Sequence, residues 1–154
     1  MSQHPALSPG RVAVITGAAS GMGQATALRF AREGAAVVIA DLNSQAGEAT
    51  VAEIAAAGGR AVFQHTDVSD DGAIQAMINR AVKEFGRLDI TYNNAGIGGA
   101  TGQLEEITAA DWDKTFVILT RAVFLGIKYS IAPMRKAGGG SIISTSSVAG
   151  LRGH

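Results

Sequence analysis

The sequence predicts an α/β protein in three layers, αβα, with one doubly wound parallel sheet between two layers of helices. Short apolar runs alternate with helix-period segments from Arg11 to Ser147, giving β-α-β-α-β-α-β-α-β with no internal repeat. The second run, Ala35-Ala36-Val37-Val38-Ile39-Ala40, is apolar at every position, as a strand covered on both faces requires. The first run, Val12-Ala13-Val14-Ile15, leads into Thr16-Gly17-Ala18-Ala19-Ser20-Gly21-Met22-Gly23 and then an Ala-rich segment. Glycines between a strand and a helix let the backbone turn sharply and aim unpaired helix N-terminal N–H groups at a phosphate. This turn therefore points to a dinucleotide. Its pattern is Gly-x-x-x-Gly-x-Gly, since Ala19 and Met22 break the commoner Gly-x-Gly-x-x-Gly, and the surrounding residues must carry the assignment.

The 154 residues suit one domain that buries roughly 68–70% of its unfolded surface. Residues 1–10, with two prolines and no periodicity, are expected to form a flexible tail, and residues 11–154 the nucleotide-binding domain. Thirteen basic and thirteen acidic side chains balance, and no Lys/Arg stripe is present, so nucleic acid is not an expected partner. No uninterrupted apolar stretch approaches the ~18 residues of a membrane span, and the first ten residues lack a secretory pattern. A soluble, cytoplasmic protein with no membrane partner is expected. The lack of cysteine excludes disulfides, thiolate catalysis and Cys-ligated zinc, and no metal site is expected.

The first strand, about Arg11 to Thr16, feeds a helix from about Met22 to Glu33 that Gly34 ends. The second strand ends at Asp41, 24 positions beyond Gly17 (41 minus 17), close to the separation at which an acidic group meets an adenosine ribose. The same aspartate could instead shape the turn with Asn43 and Ser44. A 2′-phosphate on the ribose would face that carboxylate at a cost of up to about 4 kcal/mol, which favours NAD over NADP. Leu42 and Asn43 supply no basic residue to offset it.

A helix from about Ser44 to Ala57, with Val51, Ile54 and Ala55 on one side, stops at Gly58-Gly59. The third strand then leads to Asp67-Val68-Ser69-Asp70. Asp67 could accept the adenine amino group and Val68 flank the ring, while Asp67 and Ser69 serve equally well as helix N-caps. Ile74, Met77, Ile78, Ala81, Val82 and Phe85 make one apolar face of the next helix. The fourth strand delivers Asn93-Asn94-Ala95-Gly96, small and amide residues that suit close approach to a cofactor ribose. Thr108 and Asp111 resemble a cap that starts a long helix to about Ala137, with Trp112, Phe116, Leu119, Val123 and Ile127 on one face. Trp112 is expected in the core and Pro133 to disturb the helix; a fifth strand runs from Ser141 to Ser147.

Taken together, Thr16 to Gly23, Asp41, Asp67-Val68, Asn93 to Gly96 and Ser144 to Gly150 resemble the classical short-chain dehydrogenase/reductase family over nearly the whole chain from Arg11. The resemblance implies a Rossmann-type sheet of order 3-2-1-4-5, NAD across the carboxyl strand ends, and hydride transfer between nicotinamide and an alcohol or carbonyl substrate. It assigns Gly17, Ser20, Gly21, Met22 and Gly23 to the phosphate turn, and Asp41 and Leu42 to the adenosine ribose. Asp67 and Val68 go to adenine, Asn94, Ala95 and Gly96 to the inner ribose, and Ser147 to the catalytic serine. The family's usual dimer surface would be the long helix, so the full-length form is expected to be a homo-oligomer.

Two departures accompany the matches. The family's Tyr-x-x-x-Lys would fall near position 160, past His154, and neither tyrosine present replaces it, because Gly96 and Pro133 stand four residues after Tyr92 and Tyr129. The family's catalytic asparagine aligns with Leu119, and the last asparagine of the chain is Asn94, so no one-residue shift supplies another. The chain is thus expected to be a C-terminally truncated, inactive member of an enzyme family; the alternative is a non-catalytic dinucleotide-binding module. A methyltransferase would fit the glycine turn and Asp41 but not the paired serines.

Overall fold

The computed structural model describes residues 9–150, with only the backbone of Ala149. Five parallel strands form one sheet in the order β3-β2-β1-β4-β5, as expected: β1 Val12–Thr16, β2 Ala36–Asp41, β3 Arg60–His65, β4 Ile90–Asn93 and β5 Ser141–Ser144. The helices are α1 Gly21–Arg32, α2 Ser44–Ala56, α3 Asp71–Phe85, α4 Ala109–Phe116 and α5 Ala122–Lys136.

Two apolar cores lie on opposite faces of the sheet. Val12, Val14, Ala36 and Val38 face α3 and α5 through Ile74, Met77, Ala81 and Leu125. Ile15, Val37 and Ile39 face α1 and α2 through Ala27, Ala31 and Ile54. Every residue of β1 is buried, because the strand is paired on both sides and covered on both faces. The α3 face is buried where the sequence placed it, at Ile74, Met77, Ile78 and Ala81, and Gly86 ends that helix with φ 81°.

Several local expectations need correction. On α2 the buried residues are Gly47, Thr50 and Ile54, while Ala55 is exposed: Gly47 lies so close to the Phe63 ring that any Cβ would overlap it, so the helix packs on the Gly47 side. β5 ends at Ser144 rather than Ser147, since pairing with β4 stops at Asn93. The expected tail of residues 1–10 lies largely outside the described residues, but Gly10 donates its N–H to Gly34 O at 3.2 Å and so is fastened to the α1–β2 turn.

The long helix departs most. Between α4 and α5 the backbone widens into a π turn at Val117–Arg121, and α5 continues through Pro133 to Lys136. The residues it buries are small or flexible: Ala122, Leu125, Gly126, Ser130 and Met134. Trp112 is 51% exposed and stacks on Phe116 with ring centroids 4.5 Å apart, so it is not in the core. Gly126 explains the choice of face, because a Cβ there would overlap the Asn93 carboxamide. The stripe that lets α5 approach β4 is built on Gly126 and Ser130, while Phe124, Ile127 and Ile131 are turned outward.

Candidate functional site

The candidate residues gather at the carboxyl ends of β1, β2 and β4, beside the place where the strand order reverses direction. The turn after β1 needs its glycines. Gly17 has φ 65° and Gly21 φ 54°, and a Cβ on Gly23 would lie 2.7 Å from Asn94 Nδ2 and overlap Gly17 O. Helices α2, α3 and α4 are capped by the side chains of Asn43, Asp70 and Thr108. By contrast, Ser20 gives α1 no side-chain cap, and its first turn holds no acidic residue. The first turn of α1 thus carries its positive partial charge with no side-chain cap from Ser20, a setting that suits an anion. Met22 is 65% exposed beside it.

Long-range hydrogen bonds hold this turn against β4. Thr16 Oγ1 accepts the N–H groups of Asn94 and Ala95 at 3.0 Å each. Asn94 Nδ2 in turn donates to Thr16 O at 3.1 Å and Gly17 O at 3.4 Å. Sequence reasoning gave Asn94 a ribose and missed this fastening, together with the part played by Thr16. A hydroxyl at the strand end was the only available hint, because the partners are nearly eighty residues apart.

Asp41 takes the turn-shaping part that its second reading gave it. Oδ1 accepts the Asn43 N–H at 2.9 Å, shaping the turn, and Oδ2 accepts the Ala19 N–H at 2.9 Å, tying β2 to the glycine turn. Each oxygen keeps a second lone-pair direction for a hydroxyl donor. Leu42 beside it is 62% exposed. Asp67 does not cap α3; Asp70 does, through Ala73 N at 3.1 Å. Instead Asp67 Oδ1 accepts Ser69 N–H at 2.8 Å and Ser69 O–H at 2.7 Å, and these two bonds, with a smaller contribution from the His65 charge, lower its pKa against the effect of burial. Val68 is half-buried and shares a small cleft with Thr16, Asn93 and Ala95. Gly96 is exposed, and a Cβ on it would stand 3.3 Å from Leu119 Cδ2, so Leu119 in the π turn overhangs the loop after β4.

Ser147 lies three residues past β5 and is exposed; its carbonyl accepts Gly150 N–H at 3.0 Å. Neither tyrosine is placed as an activated base. The phenol of Tyr129 donates to Asp71, a bond that with burial and the neighbouring negative charge raises its pKa. Tyr92 rests against the α1-side core and meets Thr145.

A larger open groove, about 490 Å³, lies at the other end of the sheet among Arg11, Arg87, Asp89 and Gly138 to Ser141. Its charges are already paired. Asp89, with a fully buried side chain, accepts two bonds from Arg87 at 2.6 and 2.8 Å and one from Val12 N–H at 2.9 Å. Burial pushes this carboxyl up, but those bonds and the charges of Arg87 and Arg11 outweigh it and hold its pKa below the ordinary value.

A doubly wound sheet with a glycine turn at its switch point defines a Rossmann-like α/β domain. The chain belongs to the short chain dehydrogenase family, whose model matches residues 11–154. It is 48% identical over 142 residues to a 2,5-dichloro-2,5-cyclohexadiene-1,4-diol dehydrogenase of Sphingobium indicum, covering 92% of this chain and 56% of that protein. It is 39% identical over 143 residues to a cyclohexanol dehydrogenase of Acinetobacter, covering 93% and 57%. The crystal structure of levodione reductase superposes with a TM-score of 0.89 at 40% identity, covering 96% of this chain and 58% of that one. The chain thus spans little more than half the length of the relatives it matches.

Proposed function

We propose that this chain is the nucleotide-binding part of an NAD-dependent alcohol or carbonyl oxidoreductase. The observation that carries the reading is the uncapped N-terminus of α1, held open by glycines and fastened to β4 by Thr16 and Asn94. The residues fit a dinucleotide. Ser20, Gly21, Met22 and Gly23 would take the pyrophosphate, Asp41 and Leu42 the adenosine ribose, Asp67 and Val68 the adenine, and Asn94 to Gly96 the inner ribose. When bound, the nicotinamide supplies the hydride acceptor or donor. The lone pairs left on Asp41 favour ribose hydroxyls over a 2′-phosphate, which supports NAD over NADP.

Ser147 would orient the substrate oxygen by a hydrogen bond. Moving the alcohol proton calls for a positioned general acid/base, which the resemblance assigns to a Tyr-x-x-x-Lys that residues 1–154 do not contain. We therefore expect no dehydrogenase turnover from the 154 residues alone. The relatives' names support a small cyclic or secondary alcohol, or its ketone, as substrate class for a protein extended by a Tyr-x-x-x-Lys segment. The test is an assay of both proteins with NAD and a panel of such alcohols. Turnover by the extended protein only, with Ser147→Ala at least tenfold slower, is expected; robust turnover by the 154 residues would overturn the assignment.

A soluble, cytoplasmic protein that self-associates is part of the same reading. One helical run, Ala109–Lys136, is long and apolar enough to cross a membrane by length and composition. Arg121 and Lys128 interrupt it, and its small-residue stripe lies on the sheet. Its exposed apolar face, with Trp112, Phe116, Phe124, Ile127 and Ile131, suits a second copy better than lipid.

A further inference from the structure

Just past β5, the Thr145 hydroxyl lies 2.9 Å from Tyr92 Oη and 3.3 Å from Asn94 Oδ1. The orientation of the Asn94 amide is fixed by its surroundings: Nδ2 stands within reach of two carbonyls, Thr16 O and Gly17 O, so it must be the NH₂ group and the oxygen must face Thr145. One hydroxyl hydrogen serves one acceptor at a time. When the threonine donates to Asn94, the phenol of Tyr92 can donate to the threonine, so the three groups satisfy one another in a row. The backbone joins in, with Thr145 N–H donating to Asn93 O at 3.0 Å, although regular pairing has ended one residue earlier.

Asn94 is therefore the middle of a continuous path. Its nitrogen holds the glycine turn, and its oxygen holds Thr145, two residues before Ser147. We propose that Thr145 is a positioning residue, supported by Tyr92, that couples the glycine turn to the Ser147 segment through Asn94. The proposal rests on the nucleotide-binding reading above: a ligand that orders the turn orders the Asn94 amide, and that amide steadies the strand end carrying Ser147. Without the threonine hydroxyl the segment after β5 loses its side-chain tie to Asn94 and frays more readily.

Amide hydrogen exchange at Thr145 and Gly150, with and without NADH, tests this in the whole 154-residue chain. Thr145→Val keeps the β-branched shape and removes the hydroxyl; Thr145→Ser keeps the hydroxyl; Tyr92→Phe removes only the phenol oxygen. NADH affinity, read by nicotinamide fluorescence, should change by less than about threefold in Thr145→Val, since the contacts of Asn94 to Thr16 and Gly17 remain. Exchange at the two amides should speed up five- to tenfold, on the order of one lost neutral hydrogen bond, and the slowing that NADH brings to the unaltered chain should disappear. Thr145→Ser should restore it, and Tyr92→Phe should lie between. NADH binding with equal protection in Thr145→Val would overturn the coupling alone. Failure of the unaltered chain to bind NADH would overturn the nucleotide reading and the coupling with it.

Discussion

Two backbone N–H groups, from Asn94 and Ala95, end on the single hydroxyl oxygen of Thr16. In Thr16→Val both lose their acceptor in a half-buried place, which should cost about 1–3 kcal/mol. Urea unfolding should show it, and NADH affinity should fall with it; a variant as stable as the parent would mean water replaces the hydroxyl at no cost. Asp89 gives a second residue-level expectation. Its pKa is lowered in the folded state, so its contribution is complete above the ordinary carboxylate range and is lost as pH falls through the folded value. Asp89→Asn should lower the urea midpoint at neutral pH and flatten its fall below the ordinary carboxylate range of about pH 4; parallel acid limbs for the two proteins would contradict this. The residues legible in the sequence were those whose role is local. Gly17 and Gly23 were found because the backbone needs them, and the turn-shaping part of Asp41 because Asn43 follows it closely. Thr16, Tyr92 and Thr145 were not, since their partners lie fifty to eighty residues away.

At the scale of elements, the apolar face of α3 was legible because four of its apolar residues, Ile74, Met77, Ile78 and Ala81, are also its buried ones. The α4–α5 run misled because its largest apolar residues face outward, while Gly126 and Ser130 make the contact with β4. Periodicity marks an apolar face, and only the partner's shape says which face is used. Gly126→Ala should therefore be among the costlier small substitutions, about 1–3 kcal/mol by overpacking against Asn93; a neutral change in thermal midpoint would show that α5 can shift without loss. At β5, Ile142 is 36% and Ile143 42% exposed, and among the described residues β4 is its only partner strand. Such an edge recruits other chains. Sedimentation should find the 154 residues self-associating, and Ile143→Lys should shift them toward monomer; an unchanged distribution would place the association elsewhere, with the Trp112 face next in line.

Across the whole molecule the sheet separates two ends with different tasks. At the amino ends of the strands Asp89, Arg87 and Val12 complete one another and leave little for a ligand. At the carboxyl ends the glycine turn before α1, Asp41 and the β4 loop are fastened to one another by hydrogen bonds. The fold was legible in the alternation of apolar runs and helix-period segments, and the observed strand order agrees with the one that the family resemblance implied. In the proposed function the choice of nucleotide rests on Asp41, and nicotinamide fluorescence with NADH and NADPH tests that role directly. Binding of NADH at least tenfold tighter than NADPH is the expected result. Equal affinity, preference for NADPH, or binding of neither would contradict the account.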